Sequence, residues 1–234
     1  MFSKSLRVFM AVAASMTLFA VSVSAQEDLL KKNWAKFDRY ASANETYKAE
    51  NSGRPAAVLY GDSITDAWPR QDADFFKEHN FLGRGISGQT TSEMVVRFRQ
   101  DVIDLNPKKV VILAGINDIA CNNGVISIEG IMGNIKSMCE LAKLHHIKPV
   151  LCTLTPTTTF PWRPQLGDVS ATVDKVNDLI RAYANSNRIK LVDYAKVLTK
   201  DGQRYSKAYT KDDVHPNLDG YKVMEEALLK VIGK

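Results

Sequence analysis

Residue types that can carry nucleophilic catalysis occur in four short polar segments of the sequence. These segments are Gly61-Asp62-Ser63-Ile64-Thr65, Gly85-Ile86-Ser87-Gly88-Gln89, Gly115-Ile116-Asn117-Asp118 and Asp212-Asp213-Val214-His215-Pro216-Asn217. A serine hydroxyl becomes a nucleophile when an imidazole removes its proton, and a carboxylate can hold that imidazole in the required tautomer. Asp212 lies three residues before His215, so a tight turn would place the carboxylate against the ring.

Short apolar runs of strand-forming composition precede these segments. We predict strands over residues 56–60, 109–114, 149–154 and 189–192, with a weaker candidate over 80–84. Three polar segments follow predicted strands directly, and the fourth follows the last strand after a longer connection. Ligands bind beyond the carboxyl ends of the strands in an open parallel sheet, so this is where a site is expected.

Apolar residues at helical spacing separate the predicted strands. An amphipathic N-terminal helix is predicted from Leu30, Trp34, Phe37 and Ala41, ending before the polar stretch 48–55. Later helices are predicted from four periodic sets: Met94, Phe98 and Val102; Ile128, Ile131, Ile135, Met138 and Ala142; Val169, Val173, Val176, Ile180 and Tyr183; and Leu218, Tyr221, Met224, Leu228 and Val231. The alternation predicts a three-layer α/β/α domain, with a parallel sheet buried on both faces and right-handed crossovers.

Taken together, the four segments resemble the SGNH (GDSL) hydrolase superfamily, which is named for a Ser, a Gly, an Asn and a His in ordered blocks. The resemblance covers nearly all of residues 55–234. It implies a flavodoxin-like fold with a five-stranded parallel sheet and an ester hydrolase without a metal or organic cofactor. It also implies that Ser63 is the nucleophile, that His215 is the general base and that Asp212 orients it. The backbone N–H groups of Ser63 and Gly88 and the Asn117 amide would form the oxyanion hole.

Each site residue also has a structural interpretation. Ser63 could cap a helix, Gly88 and Asn117 could be turn residues, and the Asp-x-x-His pair could be an ion pair in a loop. The completeness of the constellation favours catalysis. For the flanking Asp62, Thr65, Asp66 and Asp118, orienting the loops through hydrogen bonds is favoured over proton transfer.

The substrate pocket has five candidate residues, chosen by position, aromatic area and charge. Trp68, Phe160, Trp162 and Arg163 are predicted to shape it, with packing on the domain surface as the alternative. Arg84 could bind an anionic group of the substrate or brace the loop at 85–88.

The leading function is a secreted serine esterase that removes short acyl groups, especially acetyl, from a saccharide or another small ester. A lipid or lysophospholipid acylhydrolase and a thioesterase remain alternatives, as does a non-catalytic module that binds glycan or lipid. The α/β-hydrolase nucleophile elbow is disfavoured because Ile64-Thr65 follows Ser63, without the glycine that this turn requires two residues after the serine.

Charge and the N-terminal pattern indicate the partners and the compartment. The 31 Lys and Arg against 26 Asp and Glu give a net charge of +5, too mild and interspersed for a nucleic-acid partner. Lys4 and Arg7 precede an apolar run over 8–23 and then Val23-Ser24-Ala25, which predicts a signal peptide at 1–25. An uncleaved membrane anchor is the alternative. Cleavage would leave one domain, 26–234, including the N-terminal helix and without stable membrane insertion.

The three cysteines give no metal-binding pattern. Cys121, Cys139 and Cys152 are an odd number, so at least one thiol stays unpaired within a monomer. Cys139 on an apolar helical face and Cys152 in an apolar strand are predicted to be core residues.

Overall fold

Five parallel strands form the central sheet, as predicted. The computed structural model describes residues 33–50 and 53–233, so the predicted signal peptide and Leu30 lie outside the described residues. The strands lie in the order β2-β1-β3-β4-β5 and are β1 (Ala57–Gly61), β2 (Phe81–Gly85), β3 (Lys109–Leu113), β4 (Lys148–Cys152) and β5 (Lys190–Val192). All five residues of β1 are buried, as expected for a central strand covered on both faces.

The strand order creates a crevice at the carboxyl edge of the sheet. The chain leaves β1 for β2 on one side and then crosses back to β3 on the other side, which makes the β1/β3 boundary a topological switch point. Gly61 pairs with both Gly85 and Leu113, so these three strands end at the same level. The loops after β1, β2 and β3 therefore begin side by side.

Helices cover both faces of the sheet and complete the predicted three layers. They are α1 (Ala41–Glu50), α2 (Ser63–Gln71), α3 (Ala73–Glu78), α4 (Thr91–Asp101), α5 (Ile116–Ile119), α6 (Ile128–Leu144), α7 (Ser170–Ser186), α8 (Tyr194–Leu198) and α9 (Leu218–Ile232). On one face α4 packs on α6 and α6 on α7, and on the other α9 packs on α2 and α8. All of these strands and helices belong to one compact unit of the chain, Ala35–Lys234.

The prediction of an amphipathic helix from Leu30 to Ala41 is wrong over the described residues. Residues 33–40 form turns and loop, and helix α1 begins only at Ala41. Polar contacts hold this segment to the domain: the Tyr40 hydroxyl donates to the Gly85 carbonyl, and Gln89 Nε2 donates to the Ala35 carbonyl at 2.9 Å. Apolar periodicity gives no signal for contacts of this kind.

The cysteine and membrane predictions can be compared directly with the described residues. Cys139 and Cys152 are buried in the core as predicted, and neither they nor Cys121 form a disulfide. Over residues 33–50 and 53–233, none of the helices is both long and apolar enough to cross a bilayer.

Candidate active site

Ser63 is the first residue of α2, directly beyond the end of β1. The Asp62 side chain caps this helix by accepting a hydrogen bond from the Ile64 N–H at 3.0 Å. Backbone N–H groups in the first turn of a helix have no acceptor within the helix. The Ser63 hydroxyl and its own N–H are thus both available at the carboxyl edge of the sheet.

Ser63, His215 and Asp212 form one continuous line of hydrogen bonds. Ser63 Oγ lies 2.9 Å from His215 Nε2, although 152 residues separate them, and His215 Nδ1 lies 2.7 Å from Asp212 Oδ2. Asp212 Oδ1 accepts from the backbone N–H groups of His215 at 2.7 Å and Val214 at 3.1 Å. Burial alone would raise the pKa of Asp212, but these hydrogen bonds and the charge of a protonated His215 outweigh it and lower the pKa. An ionised carboxylate in this position can stabilise an imidazolium.

The loop that carries Asp212 and His215 is fixed at both ends. Thr210 Oγ1 donates to the His215 carbonyl at 2.8 Å, and Asn217 caps α9 by accepting from the Gly220 N–H at 2.9 Å. Asp213 points elsewhere, because its carboxylate accepts from the Thr158 and Thr159 backbone N–H groups. The structure therefore brings Asp212, rather than its neighbour, to the imidazole.

The predicted oxyanion donors follow the ends of three adjacent strands, β1, β2 and β3. Gly88 has φ of +81° in the loop after β2, a conformation that glycine adopts without steric cost. Asn117 is only 3% exposed and lies in α5, where its Nδ2 donates to the Gln89 carbonyl at 3.0 Å. An amide nitrogen carries two hydrogens, and this contact uses one of them.

The acidic residues beside these groups hold the loops, as the sequence suggested. Asp118 accepts from the Thr91 N–H at 2.9 Å and from the Thr91 hydroxyl at 2.6 Å, which joins α5 to α4. Asp66 Oδ2 accepts from the Ser87 hydroxyl at 2.6 Å. Burial raises the pKa of Asp118, and it raises that of Asp62 to about 6.

Two residues predicted to contact substrate are in the protein interior, and these predictions are corrected. Trp68 is 2% exposed on the core face of α2, and its indole N–H donates to Glu225 at 3.0 Å. Arg84 is 6% exposed, and its Nε donates to Asn44 Oδ1 at 2.8 Å. Arg84 therefore joins β2 to α1, rather than bracing the loop at 85–88 as the alternative interpretation had it, and neither side chain presents a surface to a ligand.

The remaining candidates lie in the segment after β4 and differ in their exposure. Phe160 is buried and packs against Trp162, so its ring is not presented to a ligand. Trp162 is 40% exposed, and its ring centroid lies 6.0 Å from that of His215. Arg163 is partly buried, and its backbone N–H donates to the Phe160 carbonyl at 2.9 Å. Trp162 is thus the aromatic candidate that the structure brings to the imidazole.

A groove of about 340 Å³ opens beside Ser63. Its lining mixes polar and apolar groups. Besides Ser63, Asp212 and His215, it includes residues that the sequence analysis did not select as site candidates: Ala67, Arg70, Gln71, Ser87, Lys211, Pro216, Asn217 and Tyr221. A larger cavity, of about 630 Å³, is lined by residues at the amino ends of β3, β4 and β5, remote from Ser63. Within the described part of the chain, no three His, Cys, Asp or Glu side chains are grouped to hold a metal ion.

The sequence matches a known family over most of the region just described. Residues 59–223 match the model of the GDSL-like lipase/acylhydrolase family. The chain belongs to this family. It is therefore a carboxylic ester hydrolase, and the resemblance inferred from the four polar segments is confirmed.

A solved structure and three curated proteins illustrate the similarity. A GDSL-like lipase from Bacteroides thetaiotaomicron is 40% identical, with a TM-score of 0.80, and the match covers 85% of this chain and 97% of that one. The isoamyl acetate-hydrolyzing esterase of Saccharomyces cerevisiae is 24% identical over 75% of this chain and 84% of its own length. An acetylxylan esterase of Geobacillus stearothermophilus is 24% identical over 65% of this chain and 71% of its own length. The uncharacterized lipoprotein YqeF of Bacillus subtilis is 30% identical over 47% of this chain, and the match covers 53% of that protein.

Proposed function

We propose that the enzyme hydrolyses esters through an acyl-enzyme formed on Ser63. The hydrogen-bonded line from Ser63 Oγ through the His215 ring to Asp212 carries this proposal. Ser63 Oγ attacks the ester carbonyl carbon while His215 Nε2 takes the hydroxyl proton. The carbonyl oxygen of the ester becomes an oxyanion, which accepts hydrogen bonds from the backbone N–H groups of Ser63 and Gly88 and from the side-chain amide of Asn117.

Collapse of this intermediate breaks the bond to the alcohol, and His215 returns its proton to the leaving oxygen. Water then attacks the acyl group on Ser63 and transfers a proton to His215. The second collapse releases the carboxylic acid and restores the serine hydroxyl. Asp212 stabilises the imidazolium in both halves of the reaction and remains ionised throughout.

The proposed substrate is a short acyl ester, in particular an acetyl group on a saccharide. The groove beside Ser63 supports this choice, because Arg70 and Gln71 offer hydrogen-bonding groups suited to sugar hydroxyls. A long acyl chain would need a more apolar lining. Two relatives are named for acetyl esters, isoamyl acetate in one and acetylxylan in the other.

Replacement of the nucleophile tests the mechanism. We expect Ser63→Ala to lower kcat on p-nitrophenyl acetate by at least about 10³-fold. The matched control is Ser137→Ala, which removes a serine whose hydroxyl donates to the Gly133 carbonyl of its own helix. A fluorophosphonate should label Ser63 in the wild type, as detected by peptide mass spectrometry. Turnover by Ser63→Ala equal to the wild type would refute the proposal, and wild type without turnover would favour a binding module.

A substrate series tests the acyl and alcohol preferences. We expect kcat/KM to fall from p-nitrophenyl acetate to the palmitate ester, and acetylated xylooligosaccharides to be deacetylated. Highest activity on the long chains would contradict the short-acyl proposal and favour a lipid acylhydrolase. Faster hydrolysis of acetyl thioesters than of acetyl oxygen esters would favour a thioesterase.

We further propose that the enzyme is exported as the single domain 26–234 after cleavage before Gln26. The basic residues Lys4 and Arg7, the apolar run over 8–23 and the small residues that follow it support this proposal. Similarity to a lipoprotein also supports export. N-terminal sequencing of the protein from extracytoplasmic fractions should begin at Gln26, whereas an intact N-terminus in the membrane fraction would indicate an anchor.

A further inference from the structure

Asn122 lies between the proposed oxyanion donor Asn117 and the exposed ring of Trp162. Its Nδ2 donates to Asn117 Oδ1 at 2.7 Å, and its Oδ1 accepts from the Trp162 indole N–H at 3.1 Å. Cys121 has φ of +54°, and the Asn122 backbone N–H donates to the Asn117 carbonyl at 3.0 Å. This tight turn brings Asn122 back over Asn117.

The chemistry of the partners decides which atom of each amide faces which neighbour. The indole nitrogen of Trp162 is a donor without acceptor capacity, so it faces the oxygen of the Asn122 amide. The nitrogen of that amide then faces Asn117 and requires the oxygen of Asn117 on that side. Asn117 must therefore direct its nitrogen away, toward the Gln89 carbonyl, which it meets at 3.0 Å. The donor-only indole thus sets the orientation of the Asn122 amide, and Asn122 together with the acceptor-only Gln89 carbonyl sets that of Asn117.

We propose that Asn122 is a positioning residue for the oxyanion hole, acting through Asn117, and that Trp162 fixes its orientation. This inference rests on the proposed function. A flipped Asn117 amide would present its oxygen toward the oxyanion and repel it. The Trp162 ring lies beside His215 and is 40% exposed, so the same chain of contacts links a surface available to substrate with the oxyanion donor.

Three substitutions test the individual contacts that run from Trp162 through Asn122 to Asn117. Asn122→Ala removes the donor that holds Asn117 Oδ1, so Asn117 keeps its contact with the Gln89 carbonyl but loses the one that fixes its oxygen. Asn122→Asp places a carboxylate oxygen against Asn117 Oδ1 and favours the flipped orientation. Trp162→Phe retains an aromatic ring beside His215 but removes the indole donor.

The measurement is kcat and KM on p-nitrophenyl acetate. Loss of a complete oxyanion donor lowers kcat by about 10²–10³-fold, so we expect about a 10-fold decrease for Asn122→Ala and a larger decrease for Asn122→Asp. Trp162→Phe should lower kcat by about threefold, because the Asn122 amide remains in place but loses the donor that fixes its orientation. KM should change by less than about twofold, since uniform binding is unaffected. Asn185→Ala, an exposed asparagine on α7, is the control with unchanged kcat.

A double-mutant comparison distinguishes positioning from a structural role. Once Asn117→Ala has removed the target amide, adding Asn122→Ala should lower kcat no further. Equal losses in both backgrounds, or a change in KM alone, would overturn the inference, whatever happens to the melting temperature. If Ser63→Ala retains full activity, the proposed function itself fails. If Ser63→Ala is inactive and the Asn122 variants keep wild-type kcat, only the positioning role is lost.

Discussion

The guanidinium of Arg97 donates from Nη2 to the carbonyl oxygen of Gly61 at 3.0 Å, two residues before Ser63. Its Nη1 donates to the Arg84 carbonyl at 3.0 Å and to the Asp101 carboxylate at the same distance. Arg97 and Asp101 are completely buried. One buried cation therefore joins the ends of β1 and β2, from which the nucleophile loop and the oxyanion loop begin.

Removal of this cation should destabilise the fold. Arg97→Met leaves the Asp101 carboxylate buried without its charged partner, which costs about 3–5 kcal/mol of unfolding free energy. Urea denaturation followed by circular dichroism measures the change. Lys230→Met is the control, because its ion pair with Glu226 is exposed and should contribute no more than about 1 kcal/mol. A loss below 1 kcal/mol for Arg97→Met would mean that water or a rearranged Asn44 compensates for the missing cation.

Asp62 should make the stability of the enzyme depend on pH in an unusual direction. Burial raises its pKa to about 6, so the native state holds this proton more tightly than the unfolded chain does. Between about pH 4 and pH 6 the native state binds more protons, and the contribution of Asp62 to stability falls as pH rises. A shift of about two pKa units corresponds to about 3 kcal/mol.

Asp62→Asn isolates this contribution, because asparagine keeps the oxygen that caps α2 but does not titrate. The unfolding free energy of the variant relative to wild type should increase by about 2 kcal/mol between pH 4 and pH 7, since the unfolded carboxyl is already partly ionised at pH 4. Parallel urea titrations across that range give the difference. A constant difference would show that the pKa of Asp62 is the same in the folded and unfolded states.

Close packing of β2 on α2 makes Gly85 irreplaceable. A Cβ atom there would lie 2.5 Å from the Thr65 carbonyl carbon and 2.6 Å from the Asp62 carbonyl oxygen, so the helix that begins at Ser63 would have to move. We expect Gly85→Ala to destabilise the protein by more than about 2 kcal/mol and to lower kcat in the part that folds. Thermal unfolding and assays on the soluble fraction measure both effects.

Gly133 provides the matched control, because a Cβ at this position in α6 meets nothing within 4 Å. Gly133→Ala should stabilise the protein by about 0.5–1 kcal/mol, since alanine loses less backbone entropy in a helix. Equal effects of the two substitutions would contradict the packing argument.

The sequence predicted the sheet and the main helices because the pattern of apolar residues reports on burial. The buried strands read as apolar runs, and α6, α7 and α9 show clear helical periods. The catalytic candidates were identified by residue type and order in a family pattern. Their convergence then followed from the rule that polar segments after parallel strands meet at one edge.

Tertiary contacts account for what the sequence did not predict. Trp68 was expected near substrate because it follows the serine segment, but the helical rotation from Ser63 directs it into the core. Asn122 belongs to none of the four polar segments, and only the turn at Cys121 brings it to Asn117. Apolar spacing likewise gave no signal that polar contacts hold the chain before α1 in turns.

The paired carboxylates Asp212 and Asp213 allow a sharp test of the proposed mechanism. Asp212 Oδ1 accepts two backbone N–H groups, so in Asp212→Asn the amide oxygen must occupy this position. The amide nitrogen then faces His215 Nδ1, which must become an acceptor and lose its hydrogen. That tautomer carries the proton on Nε2, where it cannot accept the proton of Ser63.

We therefore expect Asp212→Asn to retain the fold and to lower kcat by about 10⁴-fold. Assays with p-nitrophenyl acetate and a melting curve measure the two properties. Asp213→Asn removes the same charge one residue away, and its amide oxygen can still accept from Thr158 or Thr159, so kcat should stay within about threefold of wild type. Comparable losses in the two variants would mean that charge in the loop, rather than the tautomer of His215, controls the reaction.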